Sequence, residues 1–311
     1  MHRDNTPASP QDTIQHTISR LALSFGITLA FVLLEAFAGF YANSLALLTD
    51  AAHNLTDAIA LAMSWQALRL TMRPAHPGKT YGYHRAGILV ALINSITLVL
   101  ISAGIFFEAY RRFISPPRIE SQILMGVGAV AFFINFGTAW LVKRGSDHDL
   151  NLRSAFLHLM GDVFSTLGAT LAGVIIFFTG LNWLDPLVSI LIGLLILWNA
   201  WGILRETIHI LLESTPKDID MSKMVCELLG VEGVHCVHDL HVWSLTQSLR
   251  ALSAHVVIED VPLSAGTAIK QQINGILNHH YGIAHTTLQL ECSNCDPESL
   301  FCDLNGTLHP H

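Results

Sequence analysis

Two stretches of otherwise apolar sequence each set an imidazole and a carboxylate four residues apart: His53 and Asp57 in TDAAHNLTDAIAL, His158 and Asp162 in AFLHLMGDVFS. On a helix, residues four apart project from one face on neighbouring turns. Each stretch therefore offers one nitrogen and one oxygen donor. Two such faces brought together make an N2O2 set, which tetrahedral zinc accepts and which the octahedral, oxygen-preferring magnesium does not. A charged Asp at mid-bilayer costs about 2.5–3.5 kcal/mol, so Asp57 and Asp162 together impose roughly twice that. Helix packing does not need such a cost, and the four residues are read as an ion pathway. Asp50, three residues before His53 on the same face, could gather cations, relay protons, cap the helix start or serve local hydrogen bonding. Lone Asn94 and Asn135 read as hydrogen-bonding glue between helices. Histidine has an ordinary pKa of about 6.5 and binds metal only when neutral, so protons and zinc compete for His53 and His158. That predicts exchange of an outgoing zinc for an incoming proton.

The elements that must hold these pairs follow from composition. Of 311 residues, 51% are hydrophobic and 13% charged, the balance of a membrane protein. The net charge of -7 with no lysine or arginine cluster excludes nucleic acid as a partner. Apolar stretches long enough to cross a bilayer fall at 19–41, 45–68, 86–110, 121–142, 153–179 and 185–207. The second and fifth carry the ionisable pairs. Arg69, Arg73, Lys79 and Arg85 in the second connection, and Lys143, Arg144 and Arg153 in the fourth, make the even-numbered loops cytoplasmic and place both termini inside the cell. Arg111, Arg112 and Arg118 in the third connection are the exception. The first eighteen residues have no signal-peptide pattern. The domain reading is a cytoplasmic N-terminal segment at 1–18, a six-helix transport domain at 19–207, a cytoplasmic α+β regulatory and dimerisation domain at 208–291 and a polar Cys/His tail at 292–311.

In the soluble part, 219–229 and 263–280 read as helices and 234–245, 250–258 and 285–291 as strands, the order of a small α+β domain with helices on one face of a three-stranded sheet. His238 and His241 are three apart on a strand, so in regular geometry they point to opposite faces and cannot serve one site. All five cysteines lie in the last third of the chain, and an odd number speaks against a disulfide framework. Cys292 and Cys295 form a CxxC with Cys302 following, a weak zinc signal without a second pair.

The paired HxxxD motifs, TYGYHRA before the third span, LLESTP after the sixth and the HDLHVWSL strand resemble the cation diffusion facilitator family, in its zinc-transporting branch, over nearly the whole chain. The resemblance implies a homodimer in the bacterial inner membrane, a metallochaperone-like, ferredoxin-like cytoplasmic domain, and Zn2+ exchanged for protons. His53 at the first position of the second-helix motif goes in that family with zinc, and sometimes cadmium or cobalt. The resemblance also implies a regulatory zinc held by His238, His255 and His285 with Glu291 as an acidic ligand, and a salt bridge from Arg85 to Glu213 that ties the membrane and cytoplasmic domains. In the loop where some relatives bind metal, this chain offers His76, Lys79 and Tyr83; an ammonium is no ligand at neutral pH, and no site is expected there. An intramembrane zinc protease is disfavoured because HExxH is absent. A channel is disfavoured because closely packed ligands hold an ion too tightly for fast conduction. A pure metal sensor is the remaining rival.

Overall fold

The computed structural model describes residue 26, residues 29–143 and residues 150–292. The expected N-terminal segment 1–18 and the tail cysteines Cys295 and Cys302 lie outside the described residues. The membrane part consists of α1 (Leu29–Ala42), α2 (Leu45–Thr71), α3 (Ala86–Ile114), α4 (Ser121–Lys143), α5 (Leu150–Thr179) and α6 (Leu184–Leu211). Large apolar side chains such as Phe37, Phe40, Phe178 and Trp198 point outward, as expected of helices solvated by lipid. Among the described residues, four helices are long and apolar enough to cross a membrane: Ala86–Ile114, Ser121–Leu141, Phe156–Thr179 and Leu184–Leu211. The α2 helix has 27 residues, yet Asp50, His53, Asn54 and Asp57 dilute its apolarity.

The start of α2 is fixed from a distance. Asn43 in the left-handed conformation (φ 56) closes α1, with its own N–H and that of Ser44 returning to Phe40 and Gly39 carbonyls. Gly39 must be small, because a Cβ there would come within 3.0 Å of the Leu48 nitrogen. The carboxylate of Asp185, buried at the start of α6, then accepts hydrogen bonds from the Ser44 hydroxyl and from the Leu45 and Ala46 N–H groups at 2.6 and 3.3 Å. An anion over these unsatisfied amides complements the helix dipole. Arg112 of α3 donates to the Asn43 carbonyl at 2.6 Å and lies 3.9 Å from Asp185, while Arg111 and Arg112 both pair with Glu108. Two of the three arginines that broke the loop-charge pattern are thus neutralised within the membrane unit.

α4 and α5 approach closely through glycines, as membrane helices without a hydrophobic driving force tend to. A Cβ on Gly173 would lie 2.9 Å from the Met125 nitrogen, and one on Gly128 would lie 2.8 Å from Thr170 Oγ1. Buried Leu47, Leu98, Leu124, Ile176, Ile192 and Ile196 join α2 to α6 into one packed cluster.

The C-terminal part runs α7 (Met221–Leu229), β1 (Val234–Ser244), β2 (Arg250–Ile258), α8 (Leu263–Tyr281) and β3 (Ile283–Glu291). Asp220 caps α7 by accepting from the Lys223 N–H at 3.1 Å, and Gly282 at φ 64 ends α8 in the left-handed turn that favours glycine. The sheet order is β1-β2-β3, with β1 and β2 antiparallel and β2 and β3 parallel across α8. Met224, Leu228, Ile273 and Leu277 of the helices pack on Val237, Leu240, Leu252 and Val256, so both helices cover one sheet face. Arg250 braces this unit, donating to both oxygens of Asp218 at 2.9 and 2.7 Å and to the Tyr281 carbonyl at 2.8 Å. That pairing holds the Asp218 carboxyl below its ordinary range. Cys236 is disulfide-bonded, although the odd number of cysteines spoke against a disulfide framework.

The chain divides into two compact units. One takes in the chain up to Gln66 together with Ile93–Leu204; the other takes in Ala67–Leu92 together with the chain from Arg205. The α2–α3 hairpin therefore belongs with the C-terminal unit.

The glycine contacts make a sharp prediction. Gly173→Ala should destabilise the detergent-solubilised protein by about 1–3 kcal/mol through overpacking against α4. Gly126→Ala on α4, where a Cβ meets nothing within 4 Å, should not. Equal unfolding midpoints for the two variants would refute the close approach.

Candidate metal centre

The two HxxxD pairs meet. His53 Nε2 lies 3.7 Å from Asp57 Oδ2 and 3.5 Å from Asp162 Oδ1, and His158 Nε2 lies 3.1 Å from Asp57 Oδ2 and 3.9 Å from Asp162 Oδ2. The rings stand edge to face with centroids 5.7 Å apart. Donor atoms of His53, His158 and Asp162 all lie within 4.8 Å of one another. Ligands at 2.0–2.2 Å from a tetrahedral zinc are separated by about 3.3–3.6 Å, so these three donors stand near the spacing an ion requires, while Asp57 lies beside both imidazoles but outside this mutually close group. As residue numbers rise on α2 from Asp50 to Asp57 they fall in step on α5 from Ser165 to His158, so the helices run antiparallel and their faces match turn for turn.

Exposure divides the four donors. The side chains of His53 and Asp162 are 8% and 12% exposed, those of Asp57 and His158 30% and 44%. The exposed pair is nearer the end of α2 and the start of α5. Asp50 lies on the buried side of the site, where its carboxylate accepts from the Ser165 hydroxyl at 2.7 Å and from the Asn54 amide at 3.2 Å. It does not cap α2; Asp185 does that. Beside Asp50 stands Glu35 of α1, fully buried. Glu35 is an acid in the apolar run FVLLEAFAG, the same kind of signal that marks Asp57 in the sequence.

A second cluster lies on the sheet face away from the helices. His255 Nδ1 is 2.9 Å from Glu291 Oε1, His238 Nε2 is 3.4 Å from Glu291 Oε2, and the two rings are 5.2 Å apart. His238 Nδ1 is buried without a hydrogen-bond partner, and two imidazoles with a carboxylate are a fitting donor set for zinc. His285 is not brought to this cluster: it lies farther along β3, opposite Ala251, with Tyr81 of the α2–α3 hairpin edge-on at 5.4 Å. The expectation that His238 and His241 face opposite ways is corrected. His238 pairs with His255 and His241 with Ser253, so β1 carries one extra residue in a bulge at Asp239, which takes φ 49. The bulge rephases the strand and turns both histidines to the same face. Asp239, passed over in the sequence, links His241 at 3.0 Å to His255 at 3.6 Å. Cys292 is exposed with a free thiol.

Arg85 Nη2 donates to Glu213 Oε1 at 2.8 Å. Glu213 holds a left-handed conformation (φ 56) just past α6. In the hairpin, His76 accepts the Gly78 N–H at its Nδ1 and meets the Tyr83 hydroxyl at 3.4 Å, while Lys79 lies over the Tyr83 ring.

With this geometry in place, comparison with known proteins defines the class: the chain belongs to the cation efflux family, matching its transmembrane domain over residues 21–212 and its cytoplasmic domain over residues 216–293. It is a metal-cation transporter and not an enzyme, an integral membrane protein with a helical membrane domain and a C-terminal cytoplasmic domain. It is 40% identical over 274 residues to the cadmium, cobalt and zinc/H(+)-K(+) antiporter of Bacillus subtilis (strain 168), covering 87% of this chain and 88% of that protein. It is 35% identical over 312 residues to the zinc transporter ZitB of Escherichia coli (strain K12), covering 100% of this chain and 97% of that one. The solved metal-bound C-terminal domain of the CzcD transporter from Cupriavidus metallidurans matches 24% of this chain and 99% of its own at 29% identity, with a TM-score of 0.22.

The Arg85–Glu213 pair is 36% and 60% exposed, so it contributes about 0–1 kcal/mol to stability. Arg85→Glu should leave the unfolding midpoint nearly unchanged yet lower metal flux several-fold, and Arg85→Glu with Glu213→Arg should restore it. A double variant no better than the single one in a flux assay would remove the pair from the coupling path.

Proposed function

We propose that this chain exports Zn2+ from the cytosol in exchange for protons, with His53, Asp57, His158 and Asp162 as a tetrahedral transport site in a homodimer of the inner membrane. The observation that carries this reading is the convergence of four donors from two antiparallel helices at 3.1–3.9 Å, close to the edges of a zinc tetrahedron. Six spans are proposed, with α1 and α2 joining the four apolar helices, and both termini in the cytoplasm. In that orientation the exposed donors, Asp57 and His158, are the pair nearer the cytoplasm. This supports a cytoplasm-open state in which zinc meets these two first and is then closed onto His53 and Asp162. Alternating access is a rocking of the helices that carry the site against the rest.

Cadmium and cobalt export is a second reading, favoured by the cadmium and cobalt for which the Bacillus subtilis antiporter is named. The His2Asp2 donor set accepts these ions as well as zinc. In the cytoplasm, His238, His255 and Glu291 are proposed to hold a regulatory zinc, with the tail cysteines Cys292, Cys295 and Cys302 as further candidate ligands. Bound there, zinc would neutralise the carboxylate and fix the open sheet face. A membrane metal sensor is the reading left to a chain that binds zinc and moves none.

The test is flux in proteoliposomes. Wild type should take up zinc faster against an opposing proton gradient, and Asp57→Ala and His158→Ala should each fall to the protein-free background. Zinc affinity should weaken as pH falls through the histidine range near 6.5, because protonated imidazole is no ligand. Unchanged flux in His158→Ala would sink the site assignment.

A further inference from the structure

Glu35 is a buried acid of the membrane unit that the zinc site leaves unexplained. It is fully buried, and neither carboxylate oxygen has a hydrogen-bond partner. The groups that face it are Asp50 and Asn54 of α2. Asp50 is buried as well, and beyond its bonds to Ser165 and Asn54 the charged groups acting on it are His53, Asp162 and Glu35 itself. Among the described residues no Lys or Arg lies within ion-pair distance of either carboxylate. Two carboxylates so enclosed, with no cation beside them, cannot both be ionised, because an uncompensated buried charge is strongly penalised by desolvation. Nor does an orphaned acid persist as packing, since an apolar side chain would fill the same space at no such cost.

We propose that Glu35 and Asp50 together carry one proton when no zinc is bound, and that zinc binding expels this proton. The coupling is electrostatic. Asp50 lies three residues from His53, about 4.5 Å along the axis, and unit charges this close in a low-dielectric interior act on each other strongly. When a divalent ion settles on His53 and Asp162, the carboxyl O–H bond breaks, the electron pair stays on the carboxylate and the proton leaves to water on the open side. The buried set then gains one net charge instead of two. When zinc departs, the paired anions draw a proton back. Protons are thus counted at a place zinc never touches, in addition to any that compete for the imidazoles.

This rests on the reading of His53, Asp57, His158 and Asp162 as the zinc site. Zinc affinity of the full-length protein in detergent should be measured from pH 5.5 to 8, values spanning about a unit either side of the histidine range, together with protons released per zinc bound. Glu35→Gln, which is isosteric and cannot ionise, should release about one proton fewer per zinc and flatten the slope of log Kd against pH by about one. Asp50→Asn should do the same. Equal release and slope in Glu35→Gln and wild type would overturn the proposal. Should neither variant fold, wild type still decides: zinc must abolish a protonated-carboxyl C=O band in the infrared difference spectrum, and an unchanged band overturns it. Failure of the parent reading would look different, as zinc binding that ignores Asp57→Ala.

Discussion

An ionisable side chain inside a low-dielectric membrane domain must be paired, protonated or bound to a cation, and this constraint organises the whole molecule. α2 carries Asp50, His53 and Asp57 in one stripe and loses too much apolarity to read as a simple span. It becomes tolerable only where α5 lays His158, Asp162 and Ser165 against that stripe in antiparallel register. The same constraint operates at the other end of the helix, where buried Asp185 finds compensation in the α2 amides and in Arg112. Helix placement and ion chemistry are therefore one problem here: the groups that make α2 costly to insert also dictate which helix it must meet and how it must be held.

Much of this was legible in the residues. Helical spacing alone placed His53 with Asp57 and His158 with Asp162, since a period of 3.6 leaves no other face for them. The α-β-β-α-β order and the bounds of β2 at 250–258 followed from alternation and turn residues, because a sheet with one buried face writes its pattern plainly. What was not legible was partnership between distant residues. Asp185 sits beside a proline in LDPLVS and looks like an ordinary helix start, and nothing local says that it caps a different helix. Glu35 was overlooked because it stands alone, without the second ligand that made the HxxxD pairs conspicuous.

The cytoplasmic histidines illustrate a different limit. A count along a regular strand separates His238 from His241, and a single bulged residue at Asp239 reverses that conclusion. Bulges depend on the partner strand's register, so parity arguments from one strand hold only as far as its hydrogen-bond ladder is regular. The outcome is a denser cluster than expected at β1 and β2, with Asp239 bridging two imidazoles, and a His285 that stands apart from it within one chain.

The central claim is the identity of the intramembrane donors, and zinc's own coordination sphere reports it most directly. X-ray absorption on full-length protein carrying His255→Ala, loaded with one zinc, should show two imidazole nitrogens and two carboxylate oxygens at about 2.0–2.2 Å. Sulfur in the first shell, or six oxygens with no imidazole signature, would contradict the account.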